Sequence, residues 1–107
     1  MDTAADVAYY LAEWYLPEMT ATSVDEMVAR LDAAAVTISQ EGTPVRLVVT
    51  LSVPTDEVLY GVFGATSPDI VSRTCLQAGA PFQRISGDVA ARIQPSHAPE
   101  VAGSASV

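Results

Sequence analysis

The sequence predicts one α+β domain whose elements follow in the order strand, helix, strand, strand, helix, strand. Three observations carry this prediction. An aromatic, strand-like segment comes first, and two segments with helical periodicity and capping residues follow it. Between these helices lie two β-branched segments joined by a turn-forming sequence, which is typical of a hairpin. The length of 107 residues suits one domain, and a hydrophobic fraction of 50% is sufficient for a core.

The first two elements are a strand and a long helix. Residues 8–16 are predicted as the strand because aromatic residues are enriched there. Residues 24–41 are predicted as the helix because apolar residues recur along them at helical spacing. Ser23 is expected to cap this helix in a capping box with Glu26. Gly42 is expected to end it, since glycine readily adopts the left-handed conformation after a helix.

The central hairpin is predicted over residues 45–53 and 58–65, with residues 54–57 forming the turn. The turn contains Asp56 and Glu57, and both side chains are expected to be solvated. This hairpin separates two strand–helix units, so the two halves of the domain are expected to share one sheet.

The second helix is predicted over residues 68–78 with Ser67 as its cap, and the last strand over residues 82–93. The composition then becomes small, polar and proline-bearing. The predicted domain therefore covers residues 1–93, and residues 94–107 are expected to form a flexible C-terminal tail.

This element order predicts a split β-α-β, ferredoxin-like fold in which both helices cover one face of a four-stranded antiparallel sheet. The other face should then be polar, so that each strand alternates apolar and polar residues. The strands do not alternate cleanly, because apolar residues occur at both alternate sets of positions. The second strand is expected to present most of its apolar side chains on one face and one on the other: Val45, Leu47, Val49, Leu51 and Val53, against Val48.

A large apolar sheet face needs a cover. The simplest cover is a second copy of the chain, so we expect a homodimer in which two sheets enclose a shared interior, a dimeric α+β barrel.

The charge limits the possible partners. The chain carries 13 acidic residues and five basic ones, and its net charge is −8. Such a surface repels phosphate backbones and acidic lipids, so we expect neither nucleic-acid nor membrane binding. The acidic first residues lack the basic region of a signal peptide, and the single cysteine cannot form an internal disulfide. These features predict a cytoplasmic protein.

Glu13 is the most informative candidate for a functional residue, because it interrupts an aromatic strand. If its face lines the interior, partial burial would favour the protonated form of its carboxyl group, which suits a general base or a ligand anchor. The alternative is a carboxylate at the rim of the sheet, paired with an arginine or hydrated.

Six further residues are expected to contact a ligand in the interior. The two arginines could bind an anionic group or pair with Glu13, and the tyrosines, with Trp14, could stack on a flat ligand. Solvation of the arginines and packing of the aromatic rings are the alternatives. The six are Tyr9, Leu11, Tyr15, Arg46, Tyr60 and Arg84.

The sequence offers few metal ligands or nucleophiles. His97 lies in the expected tail, and Cys75 lies on the inner face of the second helix, where a free cysteine usually packs as a small hydrophobic residue. We assign no metal ligand and expect no cofactor.

Three local patterns resemble a family of small ferredoxin-like proteins of unknown function, one bacterial member of which is described as nickel-binding. The patterns are Glu13–Pro17, Ala65–Asp69, and Ala78–Pro81 followed by Arg84-Ile85, and the resemblance covers residues 8–93. It implies a ferredoxin-like fold and a homodimer, and it raises nickel binding.

The sequence departs from that family at two positions linked to metal binding. Val49 matches a position where many relatives carry histidine, and Gly61 matches one that can hold cysteine. The donors that the resemblance would supply are therefore missing from these two positions.

Four functions remain open at this point. The leading hypothesis is a non-enzymatic dimer that binds a small, largely apolar ligand between its sheets. The alternative is a cofactor-independent enzyme of the dimeric α+β barrel type, an isomerase, cyclase or monooxygenase, with Glu13 as the base. Nickel binding, as in the resembled family, is a further alternative, and a purely structural interaction module would need no pocket at all.

Overall fold

The computed structural model describes residues 7–90 and Arg92, and it has the predicted order of elements. The expected tail, His97 and residues 1–6 lie outside the described residues. A short 3-10 turn at Pro54–Asp56 joins the strands of the hairpin. The elements are β1 (Ala8–Tyr15), α1 (Ala21–Gln40), β2 (Val45–Val53), β3 (Val58–Ala65), α2 (Pro68–Gln77) and β4 (Arg84–Ser86).

The four strands form one antiparallel sheet in the order β2-β3-β1-β4. Both helices pack on the same side of it, which confirms the predicted ferredoxin-like arrangement. We call this side the helix face and the opposite side the open face. The core lies between the helices and the helix face, and its largest fully buried side chains are Phe63, Leu31, Leu59, Val71, Thr74 and Cys75. Within the described part of the chain, neither helix is both long and apolar enough to cross a membrane.

Helix α1 begins one turn earlier than predicted. Its N-cap is Thr20, whose hydroxyl accepts a hydrogen bond from the Ser23 N–H at 3.0 Å, while the Ser23 hydroxyl accepts one from the Thr20 N–H at 3.0 Å. Ser23 is therefore the third helical residue, and the predicted capping box with Glu26 is wrong. Two overlapping capping patterns exist in the sequence, and the longer helix satisfies more backbone groups. Gly42 follows the helix with φ of 95°, as predicted.

Helix α2 begins at Pro68, as predicted, but Ser67 makes no capping hydrogen bond through its side chain. Cys75 is buried on the inner face of this helix. Burial raises the pKa of the Cys75 thiol to about 12, so the group stays protonated and packs as a small apolar side chain.

Strand β4 is much shorter than the predicted strand over residues 82–93. It ends at Ser86, because Asp88 has φ of 55°, a left-handed conformation that a strand does not contain. One backbone hydrogen bond, from the Val89 N–H to the Tyr9 carbonyl at 3.3 Å, joins the chain to β1 beyond this turn.

Strand β2 contains a β-bulge that the sequence pattern did not reveal. Leu47 pairs with Phe63 and Val49 pairs with Val62, so Val48 is an extra residue without its own partner on β3. Directly paired residues share a face of an antiparallel sheet. The prediction that five apolar residues of this strand share one face is therefore wrong. Two of them face the helices and three lie on the open face: Val45 and Leu47, against Val49, Leu51 and Val53.

Candidate functional site

The register places the side chains of the open face in rows that run across the strands. The row nearest the start of β1 contains Arg46, Gly64 and Tyr9, and the next contains Val49, Val62, Leu11 and Ser86. The third contains Leu51, Tyr60, Glu13 and Arg84, and the last contains Val53, Val58 and Tyr15.

The second of these rows is an aliphatic band across β2, β3 and β1. Val49 has 44% of its surface exposed, and Leu51 in the next row has 59% exposed. Val62 and Leu11 are only partly shielded by their neighbours. Water therefore contacts an aliphatic surface over three adjacent strands, which is unusual for the surface of a soluble monomer.

Apart from Leu51, the third row is polar, and we call its residues Tyr60, Glu13 and Arg84 the Glu13 row. Glu13 is the middle residue of the three. Its direct partner on β3 is Tyr60 and its partner on β4 is Arg84. The Arg84 Nε lies 3.7 Å from the Glu13 Oε2, with side-chain exposures of 72% and 25% respectively. The Glu13 carboxylate is thus three-quarters shielded, while the guanidinium remains largely in water.

Gln83 fixes the position of β4 beside β1. Its N–H donates to the Glu13 carbonyl at 2.8 Å, and its side-chain Oε1 accepts from the Tyr15 N–H at 2.7 Å. The Gln83 side-chain oxygen thus takes the place of a backbone carbonyl as the acceptor for the Tyr15 N–H, just before β4 begins. Because Arg84 follows directly, these two bonds set the place from which its side chain reaches Glu13.

Glu57 is bonded, although it was expected to be solvated. Its carboxylate accepts hydrogen bonds from the Glu18 N–H at 2.9 Å and from the Tyr15 hydroxyl at 3.0 Å. Both hydrogen bonds lower the pKa of the Glu57 carboxyl, and the bond from the Glu18 N–H has a larger effect than the bond from the Tyr15 hydroxyl. The same hydrogen bond and the negative charge of Glu57 raise the pKa of Tyr15. Only the meeting of the turn with the end of β1 creates this contact, so no local sequence signal indicated it.

All seven candidate residues that the sequence indicated lie on the open face, across all four rows and all four strands. The proposed contribution of Trp14 to a stacking wall is wrong. Trp14 lies on the helix face, where its Nε1 donates to the Ala80 carbonyl at 2.8 Å and its ring meets Phe63 edge-on at 6.3 Å. The seven are Tyr9, Leu11, Glu13, Tyr15, Arg46, Tyr60 and Arg84.

One groove lies at the β2 edge of the sheet, and Arg46 is the one candidate residue in its lining. Its volume is about 420 Å³, and it runs between α1 and β2, with Asp32, Val36 and Leu47 in its lining. A groove of about 250 Å³ lies at the other end of the same two elements, beside Val24 and Ser52. Both grooves follow the β2 edge of the sheet, and neither is lined by Tyr60, Glu13 or Arg84.

The residues at the two family metal positions do not fit a nickel site. Val49 lies on the open face and has no donor atom, and Gly61 lies on the helix face. A Cβ atom at Gly61 would come within 3.0 Å of the Trp14 ring. Across residues 7–90 and Arg92, no three His, Cys, Asp or Glu side chains are grouped so that they could hold a metal ion.

Comparison with known proteins supports the fold. No protein-family model matches the chain, and no curated protein matches it. The crystal structure of SCO4226 from Streptomyces coelicolor A3(2) is similar, with a TM-score of 0.64 and 15% sequence identity over 78% of this chain and 100% of that chain. At this identity the similarity shows a shared α+β fold and nothing about ligands or activity.

Proposed function

We propose that the chain forms a homodimer through its open face and binds a small, largely apolar ligand between the two sheets. The observation that carries this proposal is the bulge at Val48. It turns the end of β2 so that Val49, Leu51 and Val53 join the aliphatic residues of β3 and β1 on the face opposite α1 and α2.

The charge distribution favours a second copy of the chain as the cover. Although the net charge is −8, the strand residues of the open face include only one carboxylate, Glu13, beside the guanidiniums of Arg46 and Arg84. Glu57 lies at the rim, bonded to Tyr15. Two acidic chains can therefore bring the strand rows of these faces together while keeping most of their acidic groups apart.

The lining of the face favours a ligand in the interior. Ligand pockets are mostly apolar, with a few polar groups that orient the ligand. The open face has this composition, with aliphatic side chains in the second row and the polar Glu13 row beside it.

The dimer can be tested by sedimentation of the purified chain at micromolar concentration. Leu51→Asp places a charge on the open face and should give a monomer. Leu76→Asp is the matched control, because Leu76 is 62% exposed on α2 and lies outside the proposed interface. A wild-type chain that sediments as a monomer would contradict the proposal.

Ligand binding can be tested with N-phenyl-1-naphthylamine, whose fluorescence rises in apolar sites. The wild-type dimer and Leu76→Asp should both bind it, and Leu51→Asp should not. A crystal structure of the dimer in which side chains fill the interior completely would refute the ligand-binding part of the proposal.

A second candidate function is a cofactor-independent enzyme, an isomerase, cyclase or monooxygenase, in which Glu13 removes a proton. The position of the Glu13 carboxylate favours it, because the group lies beside Tyr60 and is three-quarters shielded from water, where it could contact a proton of a bound substrate. Deuterium exchange at the α-carbons of 2-tetralone, followed by NMR in D₂O, tests this candidate. The wild-type chain should accelerate exchange and Glu13→Gln should not; equal rates would exclude Glu13 as the base.

The cytoplasmic location stays a prediction, and nickel binding stays a further alternative. The cytoplasmic location rests on the single cysteine and on the charge pattern. Nickel binding rests on the family resemblance alone. Native mass spectrometry with added nickel tests it, and we expect no mass increase because of the poor fit at Val49 and Gly61.

A further inference from the structure

The polar row on the open face has donors and acceptors in a specific order. Glu13 lies directly between Tyr60 on β3 and Arg84 on β4. Side chains in such direct pairs have Cβ atoms about 5 Å apart. One small polar group placed over this row can therefore reach all three side chains.

The Glu13 carboxylate lacks hydrogen-bond donors in the described part of the chain. Its contact with the Arg84 Nε, at 3.7 Å, is an ion pair longer than a hydrogen bond. Water supplies the missing donors while the face is open. If a second sheet and a ligand exclude that water, the carboxylate needs a donor from the ligand, because a buried unpaired charge is strongly unfavourable.

A hydroxyl group satisfies this row better than a charged group does. Glu13 can only accept, Arg84 can only donate, and the Tyr60 hydroxyl can do both. A ligand hydroxyl can donate to Glu13 and accept from Arg84 or Tyr60 at the same time. A ligand carboxylate is repelled by Glu13, and a ligand ammonium is repelled by Arg84.

We infer that the Glu13 row binds the hydroxyl group of an apolar hydroxylated ligand, such as a phenol or an enol, whose hydrocarbon part lies on the aliphatic row. This inference rests on the proposed function, because the interior must form first. It adds a ligand class and a specific role for each side chain of the row.

The experiment compares three ligands of similar size that displace N-phenyl-1-naphthylamine from the wild-type chain: 2-naphthol, 2-methylnaphthalene and 2-naphthoate. The hydroxyl should make 2-naphthol bind about tenfold more tightly than 2-methylnaphthalene, since a hydrogen bond to a charged group contributes that much. The naphthoate should bind least tightly.

The variants separate the Glu13 row from general effects. Glu13→Leu should bind 2-methylnaphthalene at least as tightly as the wild type and should lose the preference for 2-naphthol. Glu26→Leu makes the same change on the exposed side of α1 and should keep the preference. Because the preference is a ratio of two affinities for the same variant, partial loss of stability does not imitate its loss.

The outcomes distinguish this inference from the proposed function. Equal affinities for 2-naphthol and 2-methylnaphthalene, or a preference that survives Glu13→Leu, would overturn the inference and leave apolar ligand binding in place. Tighter binding of 2-naphthoate would overturn the hydroxyl assignment in favour of an anion on Arg84. Failure of the fluorescent probe itself to bind would overturn both.

Discussion

The two faces of the sheet are built from the same strands and differ in what covers them. On the helix face, Leu59 and Phe63 are completely buried beneath α1 and α2. On the open face, their neighbours on β3, Tyr60 and Val62, remain partly exposed. The open face is nevertheless mostly apolar, so the difference between the faces lies in their cover more than in their composition.

Strand β2 contributes to both faces because of its bulge. Val45 belongs to the core, whereas Val49 is 44% exposed on the open face. In a strand without the bulge, Val49, Leu51 and Val53 would lie on the same face as Val45 and Leu47. The bulge therefore determines how much aliphatic surface the open face has.

The largest expected effect comes from comparing two variants of β2, one with a charge before the bulge and one with a charge after it. Val45→Asp buries an unpaired carboxylate in the core and should destabilise the domain by more than about 4 kcal/mol, enough to unfold it. Val49→Asp should leave a folded chain, because the carboxylate stays in water. Circular dichroism and urea denaturation distinguish these results. Unfolding of both variants would contradict the register shift at Val48.

The next effect compares leucines on opposite faces. Leu59→Ala should reduce the free energy of unfolding by about 2–5 kcal/mol, because it leaves a cavity in the core. Leu51→Ala, at a residue 59% exposed, should cost the single chain less than about 1 kcal/mol. Urea denaturation at several protein concentrations is the measurement. A cost for Leu51→Ala that grows with protein concentration would show that a second copy buries this residue.

A smaller effect compares two glycines of β3. A methyl group at Gly61 would approach the Trp14 ring to 3.0 Å, whereas one at Gly64 would meet Tyr9 and Val7 at 3.4 Å. Gly61→Ala should therefore cost about 1–3 kcal/mol through overpacking. Gly64→Ala should be close to neutral. Thermal denaturation of both variants checks the contrast, and equal melting temperatures would contradict the tight packing of the helix face.

The smallest effect is the hydrogen bond between Tyr15 and Glu57 at the rim of the open face. Tyr15→Phe should weaken the domain slightly at neutral pH. Since the pKa of Glu57 is lowered on folding, its contribution is present above its unfolded value and is lost as the pH falls through its folded value. Since the pKa of Tyr15 is raised, its contribution is present below its unfolded value and is lost as the pH rises through its folded value.

The difference in stability between wild type and Tyr15→Phe should therefore be constant near neutral pH. It should shrink below about pH 4 and above about pH 10. Urea denaturation across this range measures it. A difference that stays constant down to pH 3 would mean that Glu57 does not accept this hydrogen bond.

Much of the fold followed from local patterns. The hairpin strands have their predicted bounds, because β-branched residues and the turn at Pro54 mark both ends. The side chains of β1 and β3 lie on the two faces that their alternation predicts, since both strands pair without interruption. The candidate residues of these two strands lie on one face for the same reason: Tyr9, Leu11, Glu13, Tyr15 and Tyr60.

The misses have two causes. The cap of α1 and the end of the last strand were decided locally, by a choice between two capping residues three positions apart and by the left-handed conformation of Asp88. The bond of Glu57 to Tyr15 joins residues 42 positions apart. Patterns of period 2 or 3.6 describe neighbours along the chain, so they contain no information about such contacts.

By itself, the sequence determined the order of the elements, the helix-facing residues of α2 and the unusual apolar character of both sheet faces. Only the tertiary structure decided which residues of β2 face the helices and which lie with Glu13 on the open face. The physical reason is that a bulge exists only in the pairing of two strands. Val48 is an extra residue because of what β3 presents opposite it, and no property of β2 alone reveals that.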